Sequence, residues 1–194
     1  MGKSKTILCC NQKGGVGKTL VSDELSFAFD RDGISYSLID LDQQGGRVHP
    51  QVINENADVT ILDTPGALQP KLLEWMKDAD LIIIPTKMTP RDLQPFLTMI
   101  ELIKRNNIQV PVFYVLNEWN RYRASTEFEQ WFKTSFPDSL FYRIPKSEGF
   151  TQAALEGVSI LDHKEYKRSE AAAYIRVIIE AVEYVLDLKD IEVK

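Results

Sequence analysis

Short apolar runs alternate along this chain with longer stretches that carry helical signals. Residues 6–10, 34–41, 59–62, 81–85, 110–116 and 140–144 read as strands, the apolar ones near-continuous, as in parallel strands covered on both faces. Residues 19–31, 70–77, 90–106, 124–135, 147–156 and 169–186 read as helices. Asp32-Gly33 stops the first helix, and Pro90 fits the first turn of the third. From 43 to 56 the chain is polar, with Gly45-Gly46 and His49-Pro50, and holds at most a short helix. This alternation predicts an α/β fold: a single-domain, doubly wound, mostly parallel sheet flanked by helices, over residues 1–194. Ligands of such sheets bind at the carboxyl ends of the strands.

Composition narrows this picture. The chain has 194 residues, 44% of them apolar, enough for one compact domain with a sizeable core. Its net charge of −5 excludes a globally basic nucleic-acid binder, so any DNA contact must come from a local patch or from assembly. Cys9 and Cys10 are neighbours in a strand and point to opposite faces, which makes them core residues rather than a disulfide or a metal pair. That usage fits a reducing, cytosolic compartment. The start, Lys3-Ser4-Lys5, carries no leader pattern, and no apolar run reaches the ~20 residues of a membrane span. A cytoplasmic protein, off the membrane, is expected.

The candidate chemistry begins at Lys13-Gly14-Gly15-Val16-Gly17-Lys18-Thr19, between the first strand and the first helix. Strand, glycine-rich loop and helix form the context of a phosphate-binding loop. Glycines without a Cβ let the backbone curl and approach an anion, and successive N–H groups point into one concavity. The helix adds the positive end of its dipole. Lys18 is placed to reach the β- and γ-phosphates, and the Thr19 hydroxyl to ligate Mg²⁺. Where the general pattern has its first glycine, this chain has Gln12, and it has a second lysine, Lys13, inside the loop.

Asn11-Gln12-Lys13-Gly14-Gly15-Val16-Gly17-Lys18-Thr19 resembles the deviant Walker A box of the ParA/MinD family of ATPases. The resemblance implies a P-loop NTPase domain with ATP and Mg²⁺ as cofactors. It makes Lys13 the signature lysine that reaches across a nucleotide-sandwich dimer to the partner's phosphates. Gly14, Gly15, Val16, Gly17, Lys18, Thr19 and Leu20 would hold the nucleotide, and Lys13 and Lys18 would act in catalysis.

Further along, Asp40 and Asp42 share a strand face at the end of the second strand. Two such carboxylates make sense with a metal and an attacking water, one supporting the metal's water shell and the other orienting the nucleophile. Leu38-Ile39-Asp40-Leu41-Asp42-Gln43-Gln44-Gly45 resembles the family's Walker A′ box, with Gln43 in place of the usual proline. By that resemblance Asp42 orients the water and Asp40 lies on the metal side. Asp63, in Ile61-Leu62-Asp63-Thr64-Pro65-Gly66, looks like Walker B, so Thr19, Asp40 and Asp63 form the expected metal set. Thr64-Pro65-Gly66 resembles the segment that senses the γ-phosphate. Asn117 is expected to end the fifth strand; its amide can pair with a purine edge, and the family has an adenine-contacting Asn there. Pro145 would border the base. No Asn-Lys-x-Asp string for guanine is present, so ATP is expected over GTP.

The resemblance extends through Phe150 to Ile160 and is patchiest between Gln43 and Asp58. No N-terminal helix-turn-helix extension is expected, as in the small partition ATPases. The implied function is ATP-dependent DNA segregation. An ATP-dependent homodimer binds non-specific double-stranded DNA and associates with the nucleoid, and a ParB-like centromere-binding partner stimulates the hydrolysis that releases it. Two basic groups are candidate phosphate contacts: Arg121, Arg123, Lys133, Arg143 and Lys146, then Lys164, Lys167, Arg168 and Arg176. A MinD-like membrane-associated positioning ATPase is disfavoured by the acidic end of the chain, residues 180–194, with five acids and two lysines. A metabolic ligase of the dethiobiotin-synthetase type is disfavoured by Lys13. An electron carrier like the nitrogenase iron protein is disfavoured by the absence of cysteines outside the first strand.

Overall fold

The computed structural model describes residues 4–42, 46–66 and 70–188. Among them the chain builds one six-stranded sheet. Its strands are β1 (Lys5–Cys9), β2 (Tyr36–Asp40), β3 (Val59–Asp63), β4 (Leu81–Lys87), β5 (Val112–Trp119) and β6 (Leu140–Pro145). Their order is β2-β3-β1-β4-β5-β6, and every pairing is parallel. The helices are α1 (Lys18–Asp32), α2 (Leu72–Asp78), α3 (Pro90–Arg105), α4 (Arg123–Ser135), α5 (Gly149–Glu156) and α6 (Glu170–Val185).

The chain leaves β1 for one edge of the sheet, then crosses back over β1 to build the other half. With right-handed crossovers, that reversal sends the connecting helices to opposite faces. Two cores result. Ile7, Cys9, Ile61 and Ile83 face a layer made by α1 and α6, with Val21, Leu25, Phe29, Ile175 and Ile179. Leu8, Cys10, Ile82 and Ile84 face the layer of α2, α3 and α4, with Met76, Phe96, Met99 and Phe132. Cys9 and Cys10 are fully buried on opposite faces, as period-2 strand geometry requires. Burial pushes the Cys9 thiol up to about 12, so it is inert.

Element boundaries depart from the sequence reading where backbone hydrogen bonds have other uses. β2 starts at Tyr36 rather than 34 because Ile34 N–H closes the end of α1 onto Phe29 O (2.9 Å), with Gly33 left-handed at φ 68°. β4 runs two residues beyond Pro85 although it is a central strand. This is tolerated because the β1-facing residues are odd-numbered here: Cys10 N–H donates to Ile83 O, and Asn11 Nδ2 donates to Pro85 O at 2.7 Å. The N–H that proline lacks would point past the end of β1, where no strand waits for it. β5 does not end at Asn117. It bulges there, with Glu118 at φ 54°, and resumes at Trp119, which pairs with Pro145. Ser169 lies outside α6 and caps it, its hydroxyl accepting from Ala172 N–H. Residues 46–58 form no helix; Val52 instead makes an antiparallel bridge to Leu38.

α1 is tied to the segment before α6 by a buried carboxylate. Glu24 accepts hydrogen bonds from the Ser159 hydroxyl and from Ile160 N–H. Burial pushes its carboxyl up to about 7, against the opposing pull of those two donors. A raised carboxyl pKa means the folded state holds the proton more tightly than the unfolded chain. Stability from this group is therefore lost as pH rises from the ordinary glutamate value through about 7. The loss of melting temperature between pH 5 and pH 8 should be smaller in Glu24→Gln, which keeps the shape without the ionisation. Equal slopes in the two proteins would show that Glu24 is not held this way.

Candidate functional site

The phosphate loop hangs between β1 and α1, at the strand where the strand order reverses. Asn11 is buried and acts as its anchor. Its Nδ2 holds β4 through Pro85 O, and its Oδ1 accepts from Lys13 N–H at 3.0 Å. Gly15 (φ 70°) and Gly17 (φ 107°) adopt left-handed backbone that a side chain would strain. Gly17 precedes α1 without a side-chain cap, so the first-turn N–H groups are offered to a ligand. Gly14 and Gly15 are exposed. Val16 is buried, and Leu20 packs on the core, so the groups they can offer a phosphate are their backbone N–H groups. The loop's backbone geometry fits an anion such as a phosphate.

Lys18 is 6% exposed and curls back so that Nζ donates to Lys13 O at 3.1 Å. Burial lowers its pKa, opposed by the carboxylates of Asp63 and Asp42. Lys13 is half-buried in the same loop.

The carboxylates lie on adjacent strands. Asp40 and Asp63 are directly paired in register at the ends of β2 and β3. Asp63 is 1% exposed, and neither of its oxygens has a hydrogen-bond partner. Burial pushes its carboxyl up to about 6. The Thr19 hydroxyl opposes this without closing a hydrogen bond of normal geometry; Asp40 adds to it, while Lys18 and Arg47 reduce it. Orphaned buried acceptors beside a threonine hydroxyl suit a hydrated divalent cation, so Thr19, Asp40 and Asp63 fit Mg²⁺. Asp40 Oδ1 accepts from Asp42 N–H at 2.8 Å, which fixes the start of the loop that carries Asp42. Residues 43–45, the end of the Walker A′ resemblance, lie outside the described residues.

Thr64 is bound twice to Cys9 O, through N–H and hydroxyl, at 3.1 and 3.0 Å. Gly66 lies so close to the loop that a Cβ on it would meet Gly14 Cα at 2.5 Å. Asn117 is brought to the loop from the other half of the sheet. Its Nδ2 donates to Val16 O (2.8 Å) and its Oδ1 accepts from Glu118 N–H (2.9 Å). It therefore braces the loop, a use the sequence does not announce. Pro145 is buried at the end of β6.

Sequence reasoning missed Arg47. It lies in the polar segment after β2, where neither strand nor helix periodicity reads position. Its Nη2 is 2.7 Å from Asp40 Oδ2, an ion pair in which the N–H directions miss the oxygen, leaving neither terminal nitrogen with a hydrogen bond.

The two basic groups separate in the structure. Lys133 and Arg143 both pair with buried Glu129, Arg143 also stacks over Trp119, and Arg123 pairs with Glu127. Arg176 donates to Lys167 O. Arg121, Lys146, Lys164, Lys167 and Arg168 are exposed. No helix among the described residues is long and apolar enough to cross a membrane.

An added Cβ at Gly17 would meet Asn117 Nδ2 at 2.2 Å. Gly17→Ala should lower stability by about 1–3 kcal/mol through backbone strain and that collision. Adding Asn117→Ala should recover part of it. Thermal denaturation of the two single variants and the double variant measures the coupling, and strict additivity would mean the contact is not made.

Comparison with known proteins agrees with this geometry. The protein named "Maintenance of carboxysome distribution protein A", from Halothiobacillus neapolitanus, is 25% identical over 212 residues, 93% of this chain and 97% of that protein. A Cyanothece McdA variant solved with ATP superposes with a TM-score of 0.77 at 16% identity, covering 96% of this chain and 98% of the other. The septum site-determining protein MinD of Pyrococcus horikoshii OT3, solved with Mg-ADP, gives 0.72 at 16% identity, covering 97% and 100%. At those identities the likeness of the two structures is one of fold. The profile of the CobQ/CobB/MinD/ParA nucleotide binding domain matches residues 7–160, most of the chain. With its phosphate loop, its paired strand-end carboxylates and its parallel six-stranded sheet, the chain belongs to that family of nucleotide-binding proteins, the ParA/MinD-type ATPases.

Proposed function

We propose that this chain is an ATP-hydrolysing switch that positions a cargo by cycling on and off DNA. The observation that carries the reading is the loop itself: two lysines flank Gly14-Gly15-Val16-Gly17, and one of them, Lys18, is buried beside the carboxylate of Asp63. The backbone N–H groups of 14–20 and the Lys18 ammonium hold the phosphates of ATP. Thr19, Asp40 and Asp63 hold the water shell of Mg²⁺, which supplies charge neutralisation at the phosphates when bound. Asp42 orients the attacking water. Asn117 and Pro145 lie on the base side. Lys13, already in the loop, extends to the phosphates of a second subunit, so ATP joins two copies.

Residues around Gly66 couple the loop to the nucleotide's terminal end. Thr64 fixes one end of this segment to β1, and the Gly14–Gly66 approach ties its position to that of the loop. Arg121, Lys146, Lys164, Lys167 and Arg168 remain exposed for phosphate-backbone contact once two subunits combine. A small ParB-like partner accelerates hydrolysis and resets the switch. The carboxysome-distribution relative supports a positioning task over small-molecule ligation, because its alignment spans nearly the whole of both chains.

The reading is tested by light scattering and fluorescence polarisation on one set of samples, with a random-sequence duplex and ADP, ATP, or ATP with Lys13→Ala. ATP alone should give a dimer that binds the duplex, with affinity falling steeply as salt rises. Lys13→Ala should lose both properties while keeping nucleotide binding. Dimers that form equally in ADP, or an ATP dimer indifferent to DNA, would rule out the DNA-cycling switch.

A further inference from the structure

Arg47 is a cation with a buried head to which the proposed function assigns no task. Its side chain is 9% exposed and its Nη2 lies 2.7 Å from Asp40 Oδ2. Both terminal guanidinium nitrogens nevertheless lack a hydrogen bond, and so do both oxygens of Asp63, the register neighbour of Asp40. Unsatisfied buried donors and unsatisfied buried acceptors are therefore linked through Asp40 at the carboxyl ends of β2 and β3, close enough for the guanidinium to act on the Asp63 carboxylate. A ligand that offers anionic oxygens to the guanidinium and metal-bound water to the carboxylate satisfies both at once.

The position of Arg47 is built into the fold. The two residues after it are pinned to α1, since Val48 N–H and His49 N–H both donate to the Asp23 carboxylate, at 2.9 and 3.3 Å. The His49 ring is 3% exposed and lies 2.8 Å from Asp30 Oδ2, and the Tyr36 hydroxyl donates to the other Asp30 oxygen. These bonds hold the backbone beside the guanidinium, and Asp40 holds its head.

The sheet order gives the direction of the ligand. Pro145 and Asn117 lie on β6 and β5, the phosphate loop on β1, then Asp63 on β3 and Asp40 on β2. A nucleotide with its base at the first pair and its phosphates on the loop has its last phosphate nearest β3 and β2. Arg47 lies at that end. We propose that Arg47 donates from within the same subunit to the terminal phosphate of a bound nucleoside triphosphate, and so distinguishes a triphosphate from a diphosphate. This rests on the nucleotide-binding reading above. Asp40 then aims the guanidinium as well as serving the metal side. The planar fork is what the task needs, and a lysine point charge does not replace it.

The test is equilibrium binding of a non-hydrolysable ATP analogue and of ADP to the full chain, each with Mg²⁺ and with chelator. Arg47→Gln should weaken the triphosphate about ten- to hundredfold, as expected for a lost charge-assisted hydrogen bond, and ADP less than about threefold, in both conditions. Arg47→Lys should restore little of the difference. Melting curves of the nucleotide-free proteins establish that each variant is folded. If Arg47→Gln does not fold, the triphosphate-to-diphosphate ratio of Arg47→Lys decides, and should fall several-fold. An unchanged ratio, equal losses for both nucleotides, or an Arg47→Gln variant that binds the triphosphate more tightly than wild type when Mg²⁺ is present would overturn the proposal, the last by making Arg47 a competitor of the metal. Wild-type protein that binds neither nucleotide would instead overturn the nucleotide reading itself.

Discussion

Charge is buried at the ends of β1, β2 and β3, and buried charge persists only where something opposite stands against it. Lys18 and Arg47 are the cations; Asp40 and Asp63 are the facing anions. Asp40 is satisfied by Asp42 N–H and by Arg47, whereas the other three are not satisfied in the ordinary way. Lys18 borrows a backbone carbonyl, Arg47 makes an ion pair without a hydrogen bond, and Asp63 has no donor. The arrangement is balanced in charge and incomplete in hydrogen bonding. That combination favours a ligand which is itself both anionic and hydrated.

The sheet topology brings these groups together. Because the chain reverses at β1, residues from both halves of the fold converge on its carboxyl end. Asn11 holds the loop to β4, Thr64 holds the β3 exit to β1, and Asn117 braces the loop from β5. The loop is thus supported from three strands besides being continuous with its own, which is how a glycine-rich segment keeps one shape.

Most of this was legible in the sequence, for physical reasons. A strand, a glycine-rich turn and a helix leave a local signature, and so does a buried strand that ends in Asp. The element order, the parallel sheet and the opposed cysteines followed from periodicity. What stayed hidden depends on distant partners. The use of Asn117 as a brace requires a bulge in β5, and nothing around Glu118 announces φ 54°. Arg47 gains meaning only when residues 46–50 fold onto α1 through Asp23 and Asp30, contacts that span 19 to 26 residues and have no period. Three of the five residues in the first basic group, Arg123, Lys133 and Arg143, are spent on Glu127 and Glu129, a neutralisation that counting charges along the chain misses.

The contact between Gly66 and Gly14 involves no side chain from either partner. Two bare backbones that touch have no rotamer to change and few atoms to separate, so parting them costs little. Thr64, two residues earlier, is by contrast bound twice to Cys9 O. The junction is a close approach of two backbones with no room for a methyl group between them. A single alanine at 66 would jam it while leaving every charge at the site in place.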